Sequence, residues 1–160
     1  MPDRNETVGD VEGYAAVCAQ RGLENSFPIL KSFLRSGLSI LDVGCGPGTV
    51  TCDVAAFVQP GTVTGIDLLS AMVERAQETA RSKQVENVTI QQGNSYALDF
   101  PDDTFDLTYS LNVMVHLTDP VRALREQARV TKTGGLVLAN IGDYGAKIMY
   151  PACPALERVG

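Results

Sequence analysis

The stretch SILDVGCGPGTV, residues 39–50, decides the fold. Ser39 to Val43 is a short apolar run, the pattern of a buried strand. It ends in a glycine cluster, Gly44-Cys45-Gly46-Pro47-Gly48. Pro47 opens a helix, where a proline in the first turn costs nothing. Val50, Val54 and Phe57 or Val58 then repeat at helical spacing. Glycines at such a junction allow a tight turn and let a ligand approach the backbone. The amides at the helix start favour a negative group such as a carboxylate.

Working outward, the alternation continues. Pro60-Gly61 ends the helix. Thr62 to Ile66 reads as a second strand, and Ser70 caps a helix through about Ser82. Val88 to Gln91 is a third strand and Thr104 to Ser110 a fourth. Asp119-Pro120 is a cap followed by a proline at the first helical position. Val121, Leu124 and Ala128 form the inner stripe of that helix. Gly134-Gly135 stops it, and Leu136 to Ile141 is a fifth strand. Strands alternating with helices imply parallel pairing in a doubly wound sheet covered on both faces. Upstream, two short helical stretches are expected, Tyr14 to Arg21 and Ser26 to Phe33. The chain thus divides into an N-terminal lead and helical cap (1–37), a Rossmann-like domain (38–142) and a C-terminal tail (143–160).

Composition narrows the partners. The 160 residues suggest one domain, long enough for a substantial core. A net charge of −6 repels phosphate backbones, so duplex nucleic acid is not an expected partner. Cys18, Cys45, Cys52 and Cys153 form no C-x-x-C pair, and His116 is the single histidine, so no metal site is expected. The polar N-terminus lacks a signal-peptide pattern, and no apolar run reaches membrane-spanning length. A cytoplasmic location fits these features.

Two details separate the glycine turn from a dinucleotide-binding one. The spacing is G-x-G-x-G rather than G-x-G-x-x-G. Asp42 also lies two positions before Gly44, and a carboxylate there suits an ammonium group better than a pyrophosphate. S-adenosylmethionine carries an ammonium, a carboxylate and a sulfonium, but no phosphate. Asp67, at the end of the second strand, can accept both ribose hydroxyls, or can simply cap a helix. Leu68 is placed to pack on the adenine face. Asn94, between Gly93 and Ser95, can accept from the adenine amino group, or only stabilise a turn. All three segments lie at the carboxyl ends of strands, where ligands bind in open α/β sheets.

The segments ILDVGCGPGT (40–49), VTGIDLLSAMVERA (63–76), IQQGNSYALDFPDDTFDLTYS (90–110) and DPVRALREQARVTKTGG (119–135) together resemble class I methyltransferases. The likeness is to the small-molecule group similar to ubiquinone- and menaquinone-biosynthesis methyltransferases. It implies a sheet in the order 3-2-1-4-5 and methyl transfer from S-adenosylmethionine to a small organic acceptor. It also implies Asp67 at the ribose and the Asn94 region at the adenine. Asp42, Gly44, Cys45, Gly46, Gly48, Asp67, Leu68, Asn94, Ser95 and Leu111 are the expected cofactor-binding set. The chain departs from the family at Asn94, where aspartate is usual, and at Thr133, where proline is usual. The family also continues to a sixth and an antiparallel seventh strand, which this chain ends before. The expected consequence is a strand-five edge open to self-association. The alternative function is a truncated, non-catalytic protein that binds cofactor or a partner.

His116 lies in the loop after strand four, where the transferred methyl belongs. It is the candidate general base, although a loop histidine is more often structural. Asn112 shares that loop and can orient a substrate. Tyr14 is placed to close over the cofactor. Asp106, in a Phe-Asp pair, reads as structural, and Cys45 as a space-filler in the turn.

Overall fold

The computed structural model describes residues 11–141. Expectations for residues 1–10, for the 143–160 tail and for the Tyr14 side chain lie outside the described residues.

The elements run α1 (Val11–Ala19), α2 (Leu23–Ser26), α3 (Pro28–Lys31), β1 (Ser39–Val43), α4 (Thr49–Val58), β2 (Thr62–Asp67), α5 (Ser70–Ser82), β3 (Val88–Gln92), β4 (Phe105–Leu111), α6 (Pro120–Val130) and β5 (Thr131–Asn140). The strands form one five-stranded parallel sheet in the order β3-β2-β1-β4-β5. This is the doubly wound α/β architecture and strand order expected from the sequence.

Strand alternation sorts the core into two layers. Ile40, Val63, Leu107 and Tyr109 face Val50, Val54 and Val58 of α4, together with Phe27, Leu30 and Leu34 from the N-terminal segment. Leu41, Val43 and Ile66 face the other way, with Leu98, Phe105 and Val130 of α6. Cys45, Val73, Ala76 and Ile90 bring α5 against β3. Arg129 pins the approach to β4. Its guanidinium pairs with both oxygens of Glu126 and donates to the carbonyls of Leu98 and Phe100.

Several local expectations need correction. The second N-terminal stretch is two short helices, because Phe27 (φ −148°) breaks the chain before Pro28. A residue before proline is disfavoured in the helical region. Helix α4 begins at Thr49, with Gly48 in the left-handed region at φ 78° as its cap, so Pro47 stays in the turn. Ser70 is the first residue of α5 and does not cap it; Leu69 holds that position without a side-chain bond. Asp119 does cap α6, accepting from the Arg122 amide at 3.0 Å.

Helix α6 presents Ala123, Gln127 and Val130 to the sheet, leaving Val121 52% exposed and Ala128 exposed. Both phases have helical spacing, and the small Ala123 allows the closer approach. The Gly134-Gly135 pair does not end the helix. Helix α6 stops at Val130 and β5 starts at Thr131, with Gly134 at φ 84° inside the strand, where the β4–β5 register shifts between Phe105 and Leu107. Asp106 is structural as expected. It accepts from the Ser39 amide and pairs with Lys132, and these contacts hold its carboxyl below the usual range.

Candidate functional site

The carboxyl ends of β1, β2, β3 and β4 open onto one cavity of about 550 Å³, within the size range of small-molecule sites. Asp42, Gly44, Cys45, Gly46, Asp67, Leu68, Asn94, Ser95, Leu111 and His116 all line it. Of the expected site set only Gly48 stands back. It packs against α5, where a Cβ would lie 2.8 Å from the Ala76 Cβ.

The glycine turn has a specific geometry. Gly44, Gly46 and Gly48 all take positive φ, at 79°, 54° and 78°. Its amides are largely committed within the protein. Gly44 and Cys45 donate to the Ile66 carbonyl, and Gly48 donates to Cys45. Gly46 donates to Asp67 Oδ2 at 2.9 Å. The first intrahelical bond of α4 runs from Cys52 to Gly48. The amides of Thr49 to Thr51 precede it, the ordinary orphan donors of a helix start. A Cβ added at Gly46 would meet no protein atom within 4 Å. Its missing side chain therefore leaves room on the cavity side, a cradle for a close-lying ligand.

Asp67 stands at the end of β2 and ties the site together. Oδ2 accepts from Gly46 and Oδ1 from the Leu69 amide at 3.0 Å. Burial pushes its carboxyl up, and the amide donors oppose that shift. Each carboxylate oxygen has two acceptor sites, so both retain capacity for ligand hydroxyls. Asn94 forms an Asx turn, its Oδ1 accepting from the Tyr96 amide at 2.9 Å, and faces the cavity as well. The turn reading and the ligand reading are thus compatible. Leu68 is 42% exposed beside them.

Asp42 is placed differently from the simple expectation. It is 2% exposed, at the bottom of the cavity, and its Oδ2 accepts from Thr51 Oγ1 at 2.6 Å and from the Tyr109 hydroxyl at 2.7 Å. Burial pushes its carboxyl up to about 6. Cys45 is 9% exposed, and burial together with the nearby carboxylates pushes its thiol up, away from the reactive thiolate. This suits a space-filler. His116 ends a short 3-10 turn (Met114–His116) after β4 and lines the cavity wall with Val113 and Val115. Asn112, at φ 57°, makes the bend into that segment and donates its amide to the Asn140 carbonyl at 2.8 Å.

Sequence reasoning missed Tyr109, Thr51 and Arg21. The signal for Tyr109 was present: Leu107, Tyr109 and Leu111 alternate along β4 and share the face that carries Asp42. Thr51 requires the strand-to-helix packing distance, and Arg21 requires the path of the N-terminal helices. Neither is written in a local pattern. Among the described residues no cluster of three metal-ligating side chains is present, and no helix is long and apolar enough to cross a membrane.

A family model described as a methyltransferase domain matches residues 40–135. An uncharacterized methyltransferase of Schizosaccharomyces pombe is 36% identical over 148 residues, covering 88% of this chain and 53% of that protein. The ubiquinone/menaquinone biosynthesis C-methyltransferase UbiE of Bdellovibrio bacteriovorus is 30% identical over 132 residues, covering 79% of this chain and 56% of that protein. A solved structure, a SAM dependent methyltransferase from Aquifex aeolicus, matches with a TM-score of 0.63 at 31% identity, over 69% of this chain and 61% of that one. The chain therefore spans little more than half the length of the two curated relatives. The matched span runs from β1 through the glycine turn, Asp67 and Asn94 into β5, and by it the chain belongs to the class I S-adenosylmethionine-dependent methyltransferases.

Proposed function

We propose that the cavity binds S-adenosylmethionine and that the chain transfers its methyl group to a small organic acceptor. The observation that supports this most is the convergence of Gly46, Asp67 and Asn94 on one cavity from three strand ends. Asp67 takes the ribose hydroxyls, Leu68 packs on the adenine, and Asn94 and Ser95 border its polar edge. The turn of Gly44, Cys45 and Gly46, with Asp42 beneath, receives the amino-acid end, and Leu111 closes that side. Gly48 acts from behind, letting α4 and α5 pack so that the turn keeps its shape.

When bound, S-adenosylmethionine supplies a methyl group already activated on a sulfonium, with a neutral thioether as leaving group. What remains for the protein is alignment of donor and acceptor and exclusion of water, a large part of the barrier reduction in such reactions. A base is needed only where the acceptor must lose a proton. His116 and Asn112, on the wall after β4, are the groups that face such an acceptor. An acidic chain with a mostly apolar cavity suits a small molecule better than a polyanion.

Calorimetric titration with S-adenosylmethionine, S-adenosylhomocysteine and NAD tests the assignment. Binding of the first two and not the third is expected; NAD binding alone would overturn it. A methyl-transfer screen against fractionated small molecules, with a labelled donor, then tests turnover.

A further inference from the structure

Asp42 is the deepest polar group of the cavity, and its surroundings are built with unusual specificity. On β1 it stands in register with Tyr109 on β4 and Gly65 on β2. Tyr109 and Thr51 are both fully buried, and both hydroxyls donate to the same oxygen, Oδ2. Oδ1 accepts nothing from any described residue, while Asp42 lines the cavity. Gly65 makes this arrangement possible. A Cβ at that position would lie 3.0 Å from the Thr51 methyl, so the missing side chain leaves the space in which Thr51 reaches down to the sheet.

Among the described residues, the ionisable groups coupled to Asp42 are neutral or acidic. Asp67 approaches from β2, Cys45 from the glycine turn, Cys52 from α4 and Tyr109 from β4. Lys83 is paired with Asp53 on the outer part of α4. Above Tyr109 lies Phe27, ring edge to face at 6.3 Å. Arg21 and His116 belong to the cavity's lining, and neither contributes to the shift at Asp42. The carboxylate thus has one oxygen tied down by two neutral donors, and among the described residues it forms no ion pair. Burial opposes its ionisation, and the two hydroxyls favour it.

We propose that Tyr109 and Thr51 are positioning residues: they keep Asp42 ionised with one oxygen toward the cavity, so that the site takes the ammonium end of its ligand in a pH-dependent manner. This rests on the cofactor assignment above. Protonated Asp42 has no charge to offer an ammonium, so affinity falls as pH drops through its titration. Removing a hydroxyl that stabilises the charged form moves that titration to higher pH.

The test is calorimetric titration of the full chain between about pH 5 and pH 8, a range that brackets the shifted carboxyl. Two probes are used: S-adenosylhomocysteine, which carries the ammonium, and 5′-methylthioadenosine, which lacks the amino-acid end. In the wild type, affinity for the first rises with pH and affinity for the second stays level. Tyr109→Phe moves the rise to higher pH by about one unit, which weakens S-adenosylhomocysteine roughly tenfold at about pH 5 and only about twofold near neutrality. It leaves 5′-methylthioadenosine unchanged. Thr51→Val acts in the same direction, Thr51→Ser restores the wild-type curve, and this pair carries the test if Tyr109→Phe does not fold. A variant curve that overlays the wild type, or equal losses for both probes, would overturn the proposal while leaving the cofactor assignment standing. Failure of the wild type to bind either probe would overturn both.

Discussion

Asp42 and Tyr109 stand in register on adjacent parallel strands, and the tyrosine hydroxyl donates to the carboxylate over 2.7 Å. The bond crosses the centre of the sheet directly beneath the glycine turn. It places a polar contact where the strands would otherwise be lined by apolar side chains, as at Ile40 and Leu107 one step earlier. Around that contact the site divides by chemistry: carboxylates at the ends of β1 and β2, and an apolar wall with His116 after β4.

Asp67→Ala should weaken S-adenosylhomocysteine by about 1.5–3 kcal/mol, the range for hydrogen bonds to a charged acceptor. The substitution also removes the bridge between the Gly46 and Leu69 amides, so the melting temperature should fall in the ligand-free protein. Asp67→Asn keeps an acceptor for one of those amides. It should recover part of the thermal stability without recovering affinity. Unchanged affinity in either variant would remove Asp67 from the site.

Two glycines of the turn should fail in different ways. Gly46→Ala carries the left-handed backbone cost of about 1–2 kcal/mol and places its methyl in the open space of the cradle. The protein should fold and bind poorly. Gly48→Ala has the same backbone cost and in addition drives its methyl to 2.8 Å from the Ala76 Cβ, so it should lose the α4–α5 packing and unfold at lower denaturant. Circular dichroism melts beside ligand titration separate the two. Normal binding by Gly46→Ala would mean that the ligand lies elsewhere.

His116→Ala should lower turnover less than tenfold, because an activated donor needs no base for most acceptors. A hundredfold loss with cofactor affinity intact would make His116 a general base.

The alternation of strands and helices and the positions of the cavity-lining segments were legible because they rest on local signals, and the strand order followed from the family resemblance. An apolar run ending in glycines marks a strand-to-helix turn, and Asp119-Pro120 marks a helix start, from a few adjacent residues each. The phase of α6 was not legible. Val121-Leu124-Ala128 and Ala123-Gln127-Val130 are both helical stripes, and burial of the polar Gln127 runs against hydropathy. The start of β5 was hidden for a related reason. Gly134 reads as a helix stop, yet it sits at φ 84° within a strand whose register has shifted. The Asp42 cage depends on β1–β4 register and on the reach of Thr51 past Gly65. Those are tertiary facts with only the alternation of Leu107, Tyr109 and Leu111 as a trace in the sequence.

Asp42 should also set a conflict between stability and binding. Its carboxyl is raised from 3.8 to about 6 by burial. A carboxyl with a raised folded value contributes stability that is fully present below its unfolded value and is lost as pH rises through its folded value. The window is therefore about pH 4 to pH 6, and the loss across it is about 3 kcal/mol. Asp42→Asn has no charge to bury and keeps an acceptor for Thr51 and Tyr109. Its stability relative to the wild type should climb across that window, from near equality at about pH 4 to a gain approaching that amount at neutral pH. Urea unfolding at the two ends of the window measures it. The same variant should lose affinity for S-adenosylhomocysteine, since the amide offers an ammonium no charge. A stability difference independent of pH would show that Asp42 does not titrate in this range. A pH-dependent gain in stability together with the loss of affinity would identify the buried carboxylate as a functional group held against its solvation cost.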